Sequence, residues 1–153
     1  MTNFAELCAE LQATWHHDIP PTAPMAVAVA GYDGQTLTVQ APLAPNRNLH
    51  GTAFAGSLYS VCVLAGWGAT WLMLRQRELA GTVVVADSRI EYRKAVAGDI
   101  VCRCAPEPDN FEAALAEFLR SGRARLALTC TIESAGKTAV AFEGSYAIRT
   151  PRR

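Results

Sequence analysis

Asn46, Asn48 and His50 stand at alternate positions of a polar loop, and Gly56 and Ser57 follow in what reads as the start of a helix. Attack of water on a carbonyl carbon needs donors aimed at the oxygen as it becomes negative, and a group that orients or deprotonates the water. The N–H groups of a first helical turn, here around Phe54 to Ser57, have no acceptor behind them and carry the positive end of the helix dipole. Gly56 would let a substrate approach that backbone closely. Of the three loop side chains only His50 exchanges a proton near neutral pH. Asn46 and Asn48 offer a carbonyl or an amide. Each residue also has a structural reading: loop asparagines bond their own backbone, Thr52 caps a helix, and Gly51 or Gly56 permits a turn or tight packing.

Other constellations are weaker. Ser57 with His50 and Asp87 suggests a serine hydrolase, but Phe54-Ala55-Gly56-Ser57-Leu58 is not the Gly-x-Ser-x-Gly elbow that exposes such a serine. Asp87 could serve a neighbouring subunit's helix start as general base; its rival role, which we favour, is an ion pair. In an antiparallel self-pairing of its strand centred on Ile90, Arg89 faces Glu91 and Asp87 faces Arg93, whereas centring on Arg89 sets Asp87 against Glu91. The first register is the expected seam of a dimer. His16 and His17 read as solvent-facing, and no metal-ligand spacing is present. No glycine-rich phosphate cradle or dinucleotide fingerprint occurs. Arg47, Arg93 and Lys94 could meet phosphates, although a solvated role is the default for each.

The elements that must position these residues follow from periodicity. Phe4, Leu7, Cys8, Leu11 and Trp15 predict an N-terminal helix, capped by Asn3 and stopped by Ile19-Pro20-Pro21, so that residues 1–20 form a helix and connection. Met25 to Tyr32 and Gln35 to Ala41 read as strands joined at Asp33-Gly34. A central helix is predicted over residues 53–78, with Gly66 and Gly68 admitting neighbouring backbone. From Thr82 to Val96 the even positions Val84, Ala86, Ile90 and Tyr92 read as one dry face of a strand. Asp99 to Ala105 is a short strand, Phe111 to Leu119 a brief helix closed by Ser121-Gly122. Two long strands end the chain, with Ala124, Leu126, Leu128, Cys130, Ile132 and Val140, Phe142, Tyr146, Ile148 facing inward. The fold class is α+β: a single domain, 1–153, in which a curved antiparallel sheet wraps around one long helix.

Composition narrows the partners. With 14 Lys+Arg against 14 Asp+Glu the net charge is zero, which leaves no field to draw in nucleic acid. Half of the residues are hydrophobic, and Gly51 to Leu74 is a run of 24 without a formal charge. Its length permits a membrane span, but its Ala, Gly, Ser and Thr content and the strands that need covering favour a buried helix. No export signal is read at the start. Five cysteines, an odd number without zinc-site spacing, predict a reduced cytoplasmic protein in which Cys102 and Cys104 are small core residues. One sheet cannot enclose such a helix, so a homodimer or homotetramer is expected.

The chain resembles the thioesterase-like domain at the C-terminus of YiiD-type acetyltransferases, a branch of the hotdog-fold thioesterases, over nearly its whole length. The resemblance is carried by the segment Pro42-Leu43-Ala44-Pro45-Asn46-Arg47-Asn48-Leu49-His50-Gly51-Thr52-Ala53-Phe54-Ala55-Gly56-Ser57-Leu58, then Ala65-Gly66-Trp67-Gly68, with echoes in Ile19-Pro20 and Asp87-Ser88-Arg89-Ile90-Glu91-Tyr92. It implies a hotdog sheet around a central helix, an oligomer, and acyl thioesters of coenzyme A or acyl carrier protein as ligands, with no cofactor beyond the coenzyme A or phosphopantetheine of the substrate. Asn48, His50, Gly56, Ser57 and Asp87 become the candidate catalytic set, and Asn46, Gly51, Thr52, Phe54, Leu58 and Tyr59 the candidate substrate contacts. Related thioesterases of the phenylacetyl-CoA type carry an acid within the central helix; here no Asp or Glu lies between Gly51 and Leu74. A catalytic carboxylate must then come from elsewhere. Non-catalytic acyl-thioester binding and hydroxyacyl-thioester dehydration are the competing classes.

Overall fold

The computed structural model describes residues 2–153. α1 (Phe4–Asp18) starts at Asn3, whose side chain accepts from the Glu6 N–H at 3.2 Å, and ends before Pro20. β1 (Ala28–Tyr32) and β2 (Leu37–Ala41) form the predicted hairpin. Its turn is held by the Asp33 carboxylate, which accepts from Gln35 N and Thr36 N at 2.9 and 2.6 Å, while Gly34 takes φ +98°. β1 begins later than Met25 because the Met25 and Val27 amides bond back to the Pro21 and Thr22 carbonyls.

α2 (Ala55–Gln76), β3 (Thr82–Tyr92), β4 (Ile100–Cys104), α3 (Pro108–Ser121), β5 (Arg123–Ser134) and β6 (Lys137–Arg149) complete the chain. The strands form one antiparallel sheet in the order β1-β2-β4-β5-β6-β3. α2 packs against β2, β3, β4, β5 and β6, so the sheet enfolds it in the expected α+β hotdog arrangement. The uncharged run is therefore a core helix, with 67 % of its most apolar stretch buried. α2 is shorter than residues 53–78 because Ala53 pairs with Arg47 and bonds to Val96 O, and because Arg77 caps the far end. Gly66 admits the Tyr146 ring: a Cβ there would lie 2.5 Å from Tyr146 Cζ.

The inward rows of β5 and β6 are buried as predicted. Cys62, Cys102, Cys104 and Cys130 are free thiols in the core. Hydrogen bonding to Cys102, with burial, pushes the Cys62 and Cys130 thiols well above their ordinary range, so they behave as small apolar groups. α3 closes with Gly122 in the left-handed conformation.

β3 corrects the single-face reading. A bulge between Val85 and Asp87 leaves Ala86 out of register and reverses the phase of the strand. Val83 is consequently 5 % exposed and Val84 50 %, the opposite of the even-position pattern, whereas Ser88 and Ile90 beyond the bulge face inward opposite Gly144 and Phe142.

The two sheet edges are treated differently. α1 covers β1: the Gln12 side chain accepts from Val29 N at 2.9 Å, and His16 donates from Nε2 to Val27 O at 2.7 Å. His16 is thus a part-buried edge cover rather than a solvent-facing side chain, while His17 is exposed as expected. Among the described residues the outer edge of β3 is met in this way only at Val83, whose O accepts from Trp67 Nε1 of α2 at 2.6 Å.

Candidate active site at the start of the central helix

The loop before α2 is built on its asparagines. Asn46 ends a single 3-10 turn, Ala44–Asn46, that Pro45 favours. It is 1 % exposed, and its amide donates to Met25 O and Pro42 O, both at 2.8 Å. Its own carbonyl accepts from Phe54 N at 2.7 Å, and its Oδ1 is buried with no partner among the described residues. Asn46 clamps the loop to the segment after α1 and presents nothing to solvent.

Asn48 organises the tip. Its Oδ1 accepts from His50 N at 2.8 Å and Thr52 N at 3.2 Å, and its Nδ2 donates to Thr52 Oγ1 at 2.9 Å. The main chain closes the same turn, with Asn48 N to Thr52 O at 2.7 Å and Gly51 N to Asn48 O at 3.1 Å. Thr52 is therefore a loop residue bonded to Asn48, not a helix cap. The turn lifts Leu49 and His50 into solvent: Leu49 is 90 % exposed, and the His50 ring makes no hydrogen bond among the described residues.

Ala53 N to Val96 O, at 2.8 Å, fixes the loop's return to the β3–β4 connection, and α2 begins. Phe54 stands at its cap and has no acceptor side chain. Leu58 N, bonded to Phe54 O at 3.0 Å, is the first amide of the helical ladder, so the amides of Ala55, Gly56 and Ser57 have no helical acceptor behind them. Three free donors and the positive end of the helix dipole thus stand at the start of α2, directly after the loop that carries His50. The Phe54 ring lies back over Gly56, where a Cβ would be 2.7 Å from Phe54 Cε1. In this conformation the space Gly56 leaves is filled by that ring.

Around these donors Leu58 is buried and Tyr59 half-buried. Two contacts absent from the sequence-based set brace the helix start against β3. Tyr92 Oη donates to Ala55 O at 3.0 Å, and Tyr59 Oη meets Ser88 Oγ at 2.6 Å. Partial burial raises the Tyr92 phenol above its ordinary value, so it is a neutral donor there at physiological pH. Ser88 and Tyr92 share a strand face with Ile90, which was the available signal for them.

Ser57 Oγ and the Asp87 carboxylate have no hydrogen-bond partner among the described residues, so no Ser–His–Asp relay is assembled within one chain. Asp87 pairs across the ladder with Ser145 on the outer face of the sheet. It lines an open trough of about 350 Å³ with Arg89, Thr129, Glu143 and Asn110, on the side away from α2. No group of three or more His, Cys, Asp or Glu residues among the described residues is arranged to hold a metal ion.

Residues 8–150 match the protein family described as "Putative thioesterase (yiiD_Cterm)". The fold superposes on a protein of unknown function from Chlorobaculum tepidum with a TM-score of 0.92, at 31 % identity and with 96 % of each chain covered. It also superposes on a "putative thioesterase" from Shewanella oneidensis with a TM-score of 0.88, at 35 % identity, covering 96 % of this chain and 99 % of that one. A Pseudomonas aeruginosa protein at 17 % identity shares the fold alone, with a TM-score of 0.79 and 94 % and 96 % of the two chains covered. With the hotdog arrangement and a family match over nearly its whole length, the chain belongs to the YiiD_C thioesterase family.

Proposed function

We propose that this protein is a cytoplasmic acyl-thioester hydrolase acting on coenzyme A or acyl-carrier-protein thioesters, with its site at the start of α2 and shared between two copies. The observation that carries this reading is the start of α2, where the Ala55, Gly56 and Ser57 amides have no helical acceptor and follow in the chain directly after the loop whose Asn48 turn leaves the His50 ring in solvent. The thioester carbonyl oxygen accepts from the Gly56 and Ser57 N–H groups, which are aimed where negative charge develops. His50 takes a proton from the attacking water, and Asn48 holds the turn that presents the ring. Collapse of the tetrahedral intermediate breaks the C–S bond, releasing the carboxylic acid and the thiol, which regains the proton. Swinging the Phe54 ring off Gly56 opens the approach, and the acyl chain then lies along Phe54, Leu58 and Tyr59. Five free cysteines suit a reducing compartment.

A second reading, acyl-thioester binding without turnover, has its own support: α2 carries no acid in its uncharged stretch, and no side chain orients the His50 ring. Thiol release from a panel of short- to long-chain acyl-CoAs, measured beside ligand-induced thermal shifts, separates the two. Turnover that disappears in the Asn48→Ala/His50→Ala variant supports hydrolysis. Thermal stabilisation without thiol release supports the binding role, and turnover indifferent to the double substitution removes His50 and Asn48 from the mechanism.

A further inference from the structure

Past its second turn α2 is packed on every face but one. From Val61 to Leu74 all of its residues are buried except Val63, Trp67 and Trp71, which with Tyr59 recur at every fourth position and so stand in one row along the helix. Gly56, three residues before Tyr59, heads the same face. Apart from the Tyr59 hydroxyl and the indole N–H groups the row is apolar. Two of its side chains reach across to β3: Tyr59 Oη meets Ser88 Oγ at 2.6 Å, and Trp67 Nε1 donates to Val83 O at 2.6 Å. Val63, between them, has no polar group with which to make such a tie. Beyond Trp67 the row is filled, because the Trp67 and Trp71 rings stack at 6.4 Å and the Arg75 guanidinium lies 5.2 Å from the centre of the Trp71 ring.

We propose that the bridge from Tyr59 to Ser88 is a stop for the acyl chain, and that the substrates are short acyl thioesters of about four carbons or fewer. A carbonyl oxygen held by the Gly56 and Ser57 amides sets the carbonyl carbon beside the first turn of α2. Tyr59 follows within about 5 Å along the axis. A C–C bond is about 1.5 Å long and an extended chain advances by somewhat less per bond, so about four carbons fill that distance.

The phenol is held against displacement. Its hydroxyl is tied to Ser88, and its ring meets Phe142 edge-on with the centroids 5.9 Å apart. Phe142 is 1 % exposed and folds with Tyr146 over Gly144, the residue opposite Ser88, where a Cβ would lie 2.8 Å from both rings. A longer chain has to push a bridged phenol into a packed aromatic wall. Behind the stop the row continues over Val63 to Trp67, about 12 Å further along the helix. Truncating Tyr59 joins that apolar stretch to the site. This inference rests on the proposed site at the start of α2 and names the acyl class that the site takes.

The test reads dependence on chain length. Thiol release is measured as kcat/KM with acetyl-, butyryl-, octanoyl- and decanoyl-CoA on the wild type, Tyr59→Ala and Tyr59→Ala/Val63→Phe. The wild type is expected to favour butyryl over octanoyl by about tenfold or more. Tyr59→Ala is expected to abolish or invert that preference, and Val63→Phe, which fills the opened stretch, to restore it in the double variant. If Tyr59 only supports the fold, its truncation lowers all four substrates together, and that result overturns the proposal. A wild type that turns over octanoyl-CoA as well as butyryl-CoA overturns it without any variant. If Tyr59→Ala fails to fold by circular dichroism, Tyr59→Leu, which shortens the side chain but keeps it apolar, takes its place in the same comparison. Absence of thiol release at every length refutes acyl-CoA hydrolysis, and the stop is then read from thermal shifts with the same four ligands. Stabilisation that falls between butyryl- and octanoyl-CoA supports it, and stabilisation that keeps rising with length overturns it.

Discussion

Tyr59 Oη and Ser88 Oγ lie 2.6 Å apart, a hydroxyl pair that joins the second turn of α2 to the middle of β3. The Tyr59 ring meets Phe142 edge-on at 5.9 Å, so the phenol is held from both sides. Tyr59→Phe keeps the ring contact and removes the bond. It is expected to cost about 1 kcal/mol in urea unfolding. A double-mutant cycle with Ser88→Ala should give a coupling of similar size, and purely additive losses would show that the pair does not bind the helix to the strand.

Gly66 marks where the Tyr146 ring enters the face of α2, with Tyr146 Oη donating to Val63 O at 2.8 Å. A methyl group added at Gly66 must displace a fully buried ring and its bond. Gly66→Ala is expected to destabilise by about 2–4 kcal/mol, although alanine is the better helix former. Tyr146→Phe, which shortens the intruding side chain, should recover part of that loss in the double variant. A Gly66→Ala protein with unchanged thermal midpoint would refute this packing.

The hairpin at Asp33-Gly34, the α3 stop at Gly122 and the inward rows of β5 and β6 were legible in the sequence because each depends on residues close in the chain or on a strict two-residue period. The same holds for the long α2, whose uncharged stretch needs enclosure. The bulge at Ala86 was not legible: it depends on how β3 meets β6, about sixty residues on, and it inverted the assignments of Val83 and Val84. The site loop divided similarly. Asn46, Asn48 and His50 stood out by type and spacing, but their roles depend on distant partners. Met25 O takes the Asn46 amide, and Val96 O fixes the loop's return. Thr52 read as a cap by type; its hydroxyl instead answers Asn48. His16 read as solvated, because the bare edge of β1 that it covers is a tertiary feature.

Asn48 and His50 should separate in their variants. Removing the His50 ring takes away a solvent-exposed side chain with no hydrogen bond, so His50→Ala is expected to leave the thermal midpoint within about 1 °C. Its kcat on an acyl-CoA substrate should fall roughly 10²–10⁴-fold, the usual contribution of a general base. Asn48→Ala deletes acceptors for two main-chain amides and the donor to Thr52, and should lower both stability, by about 1–3 kcal/mol, and turnover. Equal stability losses in the two variants would contradict the division between turn-former and chemical group.

Asp33 supplies a pH dependence of stability. The backbone amides of Thr36 and Gln35 hold its carboxyl below the ordinary 3.8. The folded pKa therefore lies below the unfolded one, and the native state binds fewer protons between them. The stabilisation is present above about pH 4 and is lost as pH falls through the folded value. The group is exposed and partly screened by solvent, so the effect is small. Urea unfolding from pH 6 to pH 2 should show wild type and Asp33→Asn converging in stability at the acid end, the wild type being the more stable above about pH 4. A constant offset between the two across that range would mean that the turn does not favour the ionised carboxyl.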